Sequence, residues 1–391
     1  MPLDPIFAER LRVHRRYLFD KARASARARL AALWPFGRFG PPPATPPSAR
    51  TATAGATAQA VAAPAAAPGP RDAAGRPPRG PRARARARHR KAALAWDRKE
   101  LATVGTPGPD IPTEERRVEP DGLPPFRVRI YRPAERDADP VPGCLALFGG
   151  AFRIGGIDYP TTDAGYRRRA ADSGVAIVAV DYALAPEHRF PTQIEQAHAA
   201  LEWLYAHAEG LGIRPDRIGI MGTSAGANLA AVVTLMNRER GRLPIRLQIL
   251  EVPVTDLSGK HIDYAATRAL GIPSLLARRE LRSVARTYLR DARDARTPLA
   301  SPLLARSHAE LPPAVVLTAE YDPLRGDGAA YGAALREDGV EASVVRYLGV
   351  THDTPIFTAV LPAARRWHDD VVAALRRLHE EQESGWTTSS A

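Results

Sequence analysis

From about residue 92 onward, short apolar runs alternate with longer segments whose apolar residues recur at helical spacing. Strands are predicted at 126–132, 144–148, 175–182, 217–222, 246–252, 314–319 and 342–348, with helices between them, such as 194–208 and 227–239. Several of these strands are near-continuous apolar runs, as expected of strands covered on both faces of a parallel sheet. The pattern therefore predicts an α/β architecture, a mostly parallel central sheet flanked by helices, with sites at the carboxyl ends of the strands. One interval, between 256 and 311, is too long for a simple crossover. It is helix-rich, carries Leu281, Val284 and Tyr288 on one face, and is expected to form a helical cap over about 256–300.

The N-terminal quarter follows another pattern. Residues 6–34 read as a basic helix in which Phe7, Leu11 and Leu18 fall near one face. The stripe is broken, which favours a solvated helix covering part of the main domain over one lying on a membrane. Residues 41–81 hold eleven prolines, and Val61 is their only large apolar residue. Such a composition does not bury enough surface to offset chain entropy, so a disordered Pro/Ala/Arg-rich linker is expected over 37–91, with the catalytic domain at 92–391. The linker ends in "PRARARARHRK".

Charge sharpens this division. Of the net +12, residues 1–100 carry +15 and the remainder −3, so the high pI belongs to the extension. The extension is expected to make at most a weak contact with an anionic membrane surface. Without interleaved aromatics, no specific nucleic-acid binding is expected. The one cysteine, Cys144, lies in an apolar strand and is read as a buried packing residue. No thiol cluster is present for zinc, no run of about 18 apolar residues is present to span a bilayer, and the first residues lack a basic-then-apolar leader. A cytoplasmic location is the expectation.

The chemistry begins at "RIGIMGTSAGANLAAVV", residues 217–233, where an apolar strand runs into Gly222-Thr223-Ser224-Ala225-Gly226 and a helix follows at once. G-x-S-x-G between strand and helix places a serine hydroxyl at the top of a sheet, flanked by small residues that let strand and helix approach. A serine needs a base, and the base an orienting acid, in the order Ser, Asp, His. Asp322 follows the strand at 314–319 and His352 follows the last strand, 98 and 30 residues further along in turn. Glu320 and Asp327 remain alternatives for the acid, and nine other histidines are present. His198, His207, His368 and His379 fall in predicted helices, and His14 and His89 in the extension.

Taken together, these residues resemble the hormone-sensitive-lipase-like branch of the α/β-hydrolases over roughly residues 100–380. "GTSAG" matches one form of that family's serine turn, "DYALAPEHRFP" (181–191) its Y-R-L-A-P-E-H-x-F-P segment, and "MPLDP" the start of some members. The last match implies that residues 1–36 belong to the cap. The resemblance also explains the glycines of "FGGAF" (148–152). In the family this position holds H-G-G-G-F or H-G-G-G-W, and its backbone N–H groups bind the oxyanion. The implied donors are Gly149 and Gly150 with Ala225, and Phe148 and Phe152 are expected at the substrate pocket. The chain departs from the family at Phe148, at Ala151 for the third glycine, and at Asp353 after the histidine.

The reading is a serine carboxylesterase that cleaves short- to medium-chain esters of small molecules through an acyl-enzyme, using Ser224, His352 and Asp322, with no cofactor and no metal. The rival is a ligand-binding module of the same fold, its turnover impaired by the altered loop at Phe148. Oligomeric state is not legible.

Overall fold

The computed structural model describes residues 1–12, 80–133 and 139–381. Contacts divide the chain into two units, residues 5–71 and the remainder. Within the first, residues 5–12 are helical. Of the helix expected over 6–34 and the linker expected over 37–91, residues 13–79 lie outside the described residues.

The second unit is built on eight strands: β1 (Thr113–Val118), β2 (Phe126–Tyr131), β3 (Val141–Leu147), β4 (Ala176–Asp181), β5 (Ile213–Thr223), β6 (Ile245–Glu251), β7 (Ala314–Ala319) and β8 (Ala342–Tyr347). Their order in the sheet is β1-β2-β4-β3-β5-β6-β7-β8. The pairs β1/β2 and β2/β4 are antiparallel, and every later pair is parallel. The central strands are buried almost throughout, and Leu145, Leu147, Val178 and Ile220 are fully enclosed. This burial accounts for their uninterrupted apolar runs. β1, "TEERRV", was not among the predicted strands: its charged residues suit an exposed edge but carry no apolar signal.

Helices α2 (Pro160–Ser173), α3 (Thr192–His207), α4 (Ala225–Arg240), α7 (Arg325–Glu337) and α8 (Pro362–Arg376) connect or follow the strands. α4, which begins one residue after Ser224, is buried from Ala225 to Asn237. Two helices, α5 (Tyr264–Ala269) and α6 (Ser274–Tyr288), occupy the long interval after β6. Among the described residues no helix is long and apolar enough to cross a membrane.

The expected linker boundary at residue 91 is corrected. Residues Pro81–Thr103 form one helix, α1, with proline in its first turn. Alternating arginine and alanine are both strong helix formers, and proline suits a helix start. What disorder reasoning overlooked is that these arginines have partners. Arg86 and Arg90 pair with Glu187 at 2.8 and 2.6 Å, and Arg90 also donates to the carbonyls of Arg153 and Ala185. Further along, Asp97 accepts from the Thr161 N–H at 3.0 Å and from its hydroxyl at 2.5 Å, which satisfies an open N–H in the first turn of α2.

Candidate active site

Strand β5 ends against α4 in a turn whose conformation only its glycine flanks permit. Ser224 sits at φ 56°, ψ −113°, a left-handed backbone rare for a side-chain-bearing residue. A Cβ on Gly222 would lie 2.2 Å from the Gly226 carbonyl oxygen. One on Gly226 would lie 2.0 Å from the oxygen of Leu147. Strand, turn and helix are thus in backbone contact, and the turn holds Ser224 half-exposed above the sheet.

Asp322, after β7, and His352, after β8, converge on this serine. The His352 Nδ1–H donates to Asp322 Oδ2 at 2.7 Å, and Nε2 lies 3.0 Å from Ser224 Oγ. With Nδ1 committed to the carboxylate, a neutral imidazole presents its Nε2 lone pair to the hydroxyl. Asp322 is 1% exposed, and its second oxygen accepts the Leu324 N–H at 2.9 Å. Burial disfavours the charged imidazole. The Asp322 carboxylate, by charge and by hydrogen bond, outweighs this with help from Asp353, and the His352 pKa rises to about 9.

The alternatives sort themselves by geometry. Glu320 accepts from Gly349 N–H and from the chain's first amino group. Asp327 faces away, accepting the N–H groups of Thr255 and Asp256. His198 and His368 pair with Glu202 and Asp172, and His207 and His379 contact backbone carbonyls. Cys144 is fully buried, and burial pushes its thiol well above the usual range.

The glycine loop after β3 lies against the serine turn. A Cβ on Gly149 would come within 2.9 Å of the Thr223 carbonyl oxygen and 3.4 Å of Ser224 Cβ. Gly150 adopts φ +139°, and its carbonyl accepts the N–H groups of Arg153 and Ile154, closing the loop into a turn. Neither the Gly149 nor the Gly150 N–H meets a backbone acceptor among the described residues. Ala225 opens α4, where an N–H has no intrahelical partner.

Phe148 and Phe152 are not pocket walls, which corrects the expectation for both. Phe148 is 2% exposed and stacks on Tyr182 with centroids 4.1 Å apart, while the Tyr182 hydroxyl donates to the Phe148 carbonyl at 2.7 Å. Phe152 is fully buried, stacked at 3.8 Å on Tyr288 of α6. Each ring braces the loop from behind.

Sequence reasoning missed Glu251, the last residue of β6. Its carbonyl accepts the Ser224 N–H at 2.8 Å. Its buried carboxylate accepts the Thr223 hydroxyl at 3.0 Å, and Arg169 and the Trp367 indole at 2.8 Å each. One side chain therefore ties the serine turn to α2 and α8. The signal was a lone acid ending an apolar strand, "RLQILEV", since a buried charge must be paired.

Residues 144–356 match the alpha/beta hydrolase fold family. The chain is 36% identical over 275 residues to the carboxylesterase NlhH of Mycobacterium tuberculosis, covering 69% of this chain and 83% of that protein. It is 36% identical over 228 residues to the arylesterase of Saccharolobus solfataricus, covering 58% and 71%. Among solved structures, the thermostable carboxylesterase EstE1 from a metagenomic library superposes with a TM-score of 0.69 at 34% identity, covering 76% of this chain and 98% of that one. With its sheet order and its converging Ser224, His352 and Asp322, this chain belongs to the α/β-hydrolase fold family, in the hormone-sensitive-lipase-like branch of carboxylic ester hydrolases.

Proposed function

We propose that this chain cleaves carboxylic esters of small molecules through an acyl-enzyme on Ser224. The observation that carries the reading is the continuous chain from Ser224 Oγ through His352 to Asp322, at 3.0 and 2.7 Å. His352 takes the hydroxyl proton as Oγ attacks the carbonyl, then delivers it to the departing alkoxide. In the second half-reaction it activates water in the same way. Asp322 fixes the imidazole tautomer and stabilises its charged form. The N–H groups of Gly149, Gly150 and Ala225 take the developing oxyanion, and one well-placed donor is worth on the order of 10²–10³ in rate. The reading as a binding module of impaired turnover has less support, because Phe148 and Tyr182 supply from packing the bracing that a histidine would give. We assign short- to medium-chain acyl groups, and α6, whose Tyr288 stacks on Phe152 of the glycine loop, is the element we assign to bound the acyl chain. A cytoplasmic setting agrees with a chain whose single cysteine needs no oxidising compartment.

The test is turnover of p-nitrophenyl esters of graded chain length. Ser224→Ala is expected to lower kcat by about 10⁵–10⁶-fold. A variant that kept a tenth of wild-type activity would rule out the acyl-enzyme. Faster turnover of long-chain triglyceride emulsions than of a butyrate ester would rule out the assigned acyl range.

A further inference from the structure

A cleft of about 380 Å³ lies between α6 and the loop after β6, separate from the serine site. Leu257 and Leu289 contribute apolar surface, and four arginines line it: Arg282 and Arg286 from α6, Arg290 just beyond it, and Arg296 from the following turn. None of the lining residues is acidic. Among the described residues, no carboxylate stands within ion-pair distance of any of the four arginines.

The carboxylates nearby are committed elsewhere. Five acidic residues lie between 256 and 300. Asp256 holds His261 and the Ser258 N–H, and Asp263 holds Arg325. Glu280 pairs with Arg153, Asp291 with Arg293, and Asp294 accepts the Asp291 N–H. On α6 the positions Leu275, Arg279, Arg282 and Arg286 follow an i, i+4, i+7, i+11 spacing, so they form one outward stripe that leads to the cleft. Glu280 lies off that stripe. Like charges gathered in this way repel one another, and an anion relieves the repulsion.

We propose that this cleft binds a phosphate group. A guanidinium fork meets a phosphate through two parallel hydrogen bonds, so four forks match a tetrahedral dianion better than they match a carboxylate or a halide. The apolar surface of Leu257 and Leu289 suits a carbon-bearing phosphate ester, carried either on a lipid or on a soluble molecule. The site lies on the helix whose Tyr288 stacks on Phe152 of the glycine loop. A bound phosphate would therefore fix the helix that backs the oxyanion donors.

The experiment uses the full chain and reads thermal unfolding during titration with sodium phosphate, against sodium chloride at matched ionic strength. Wild type is expected to show a saturable rise in Tm that is specific to phosphate. In Arg286→Gln/Arg290→Gln the phosphate midpoint is expected to weaken by at least about tenfold, since each charge-assisted pair is worth that much or more. If this double variant does not fold, Arg296→Gln, from the turn after α6, carries the same expectation. Co-sedimentation with phosphatidylcholine vesicles, with and without phosphatidic acid, separates the sources. Capture by the acidic vesicles that the substitutions abolish assigns a lipid phosphate, and saturable stabilisation by free phosphate without capture assigns a soluble one. Phosphate and chloride acting alike on wild type, with vesicle capture absent or unchanged by the substitutions, would overturn the proposal. So would a phosphate midpoint that the substitutions leave unchanged.

Discussion

In the proposed mechanism His352 must start neutral to accept the Ser224 proton, yet its surroundings favour the charged ring. Its pKa near 9 means that kcat/KM should rise with pH through the alkaline range and level off above that value. Asp322 is buried and meets the His352 ring directly, whereas Asp353 is exposed and only adds negative potential. Asp353→Asn should move the acid limb of the kcat/KM profile to lower pH by less than about one unit, and by less still at high salt. An unmoved limb, or one moved upward, would remove Asp353 from the account. Asp327 titrates for a different reason. Burial raises its pKa, the backbone N–H groups of Asp256 and Thr255 lower it, the nearby Asp256 and Asp322 raise it further, and the net value is about 7. One of its oxygens has no partner among the described residues. An acid whose folded pKa is raised lends stability that is complete below about pH 4 and is lost as pH rises through about 7. Asp327→Asn keeps an oxygen for the two N–H groups and carries no charge. Its Tm should exceed that of wild type at about pH 8, and the gap should shrink at about pH 5. An equal gap at both values would show that Asp327 does not titrate in this window.

Between residue and fold stands the glycine loop, and here the sequence was legible in part. Gly149, Gly150 and Gly226 were readable because only absent side chains allow such backbone approach, and the close contacts at each are backbone contacts. The triad was readable because each member follows a strand, so the strand order brings the three together. Glu251 and Tyr182 were not readable as partners. Their roles depend on which side chains a parallel sheet stacks behind the serine turn, and no local pattern encodes that. The loop is braced by the stacking of Phe148 on Tyr182 and by the hydroxyl that donates to the Phe148 carbonyl. Tyr182→Phe deletes that hydrogen bond and keeps the stack. It should lower kcat on p-nitrophenyl butyrate by about tenfold or less while leaving KM nearly unchanged, because the donors act on the transition state. Phe148→His should likewise change kcat by less than about tenfold, since it removes no backbone donor. A gain of a hundredfold in Phe148→His would mean that packing does not hold the loop and that the natural chain is a poor catalyst.

At the scale of the whole chain, the parallel core was legible because its strands are apolar on both faces. The edges were not. β1 pairs through its backbone while its side chains face water, so its charges read as loop. α1 read as linker because arginine and alanine carry no apolar stripe, and its docking rests on ion pairs and carbonyl contacts instead. Two internal deletions with a common start separate composition from docking. Removing residues 41–79 takes only the proline-rich stretch and leaves α1 whole. Tm and kcat should then stay within a few degrees and a few-fold of wild type. Removing 41–91 also takes Arg86 and Arg90, and with them both ion pairs to Glu187 and the contacts to the Arg153 and Ala185 carbonyls. Arg90 is partly buried, and hydrogen bonds of a charged group are worth about 1.5–3 kcal/mol each. With about 2–4 °C of Tm per kcal/mol in a domain of this class, the longer deletion should lower Tm by roughly 5–10 °C. The Arg153 carbonyl belongs to the turn that Gly150 closes, so kcat should fall as well. Single Arg90→Ala in the full-length chain should reproduce most of both losses. Indistinguishable Tm and kcat in the two deletions would mean that the first half of α1 is a solvated extension and that the domain begins after residue 91.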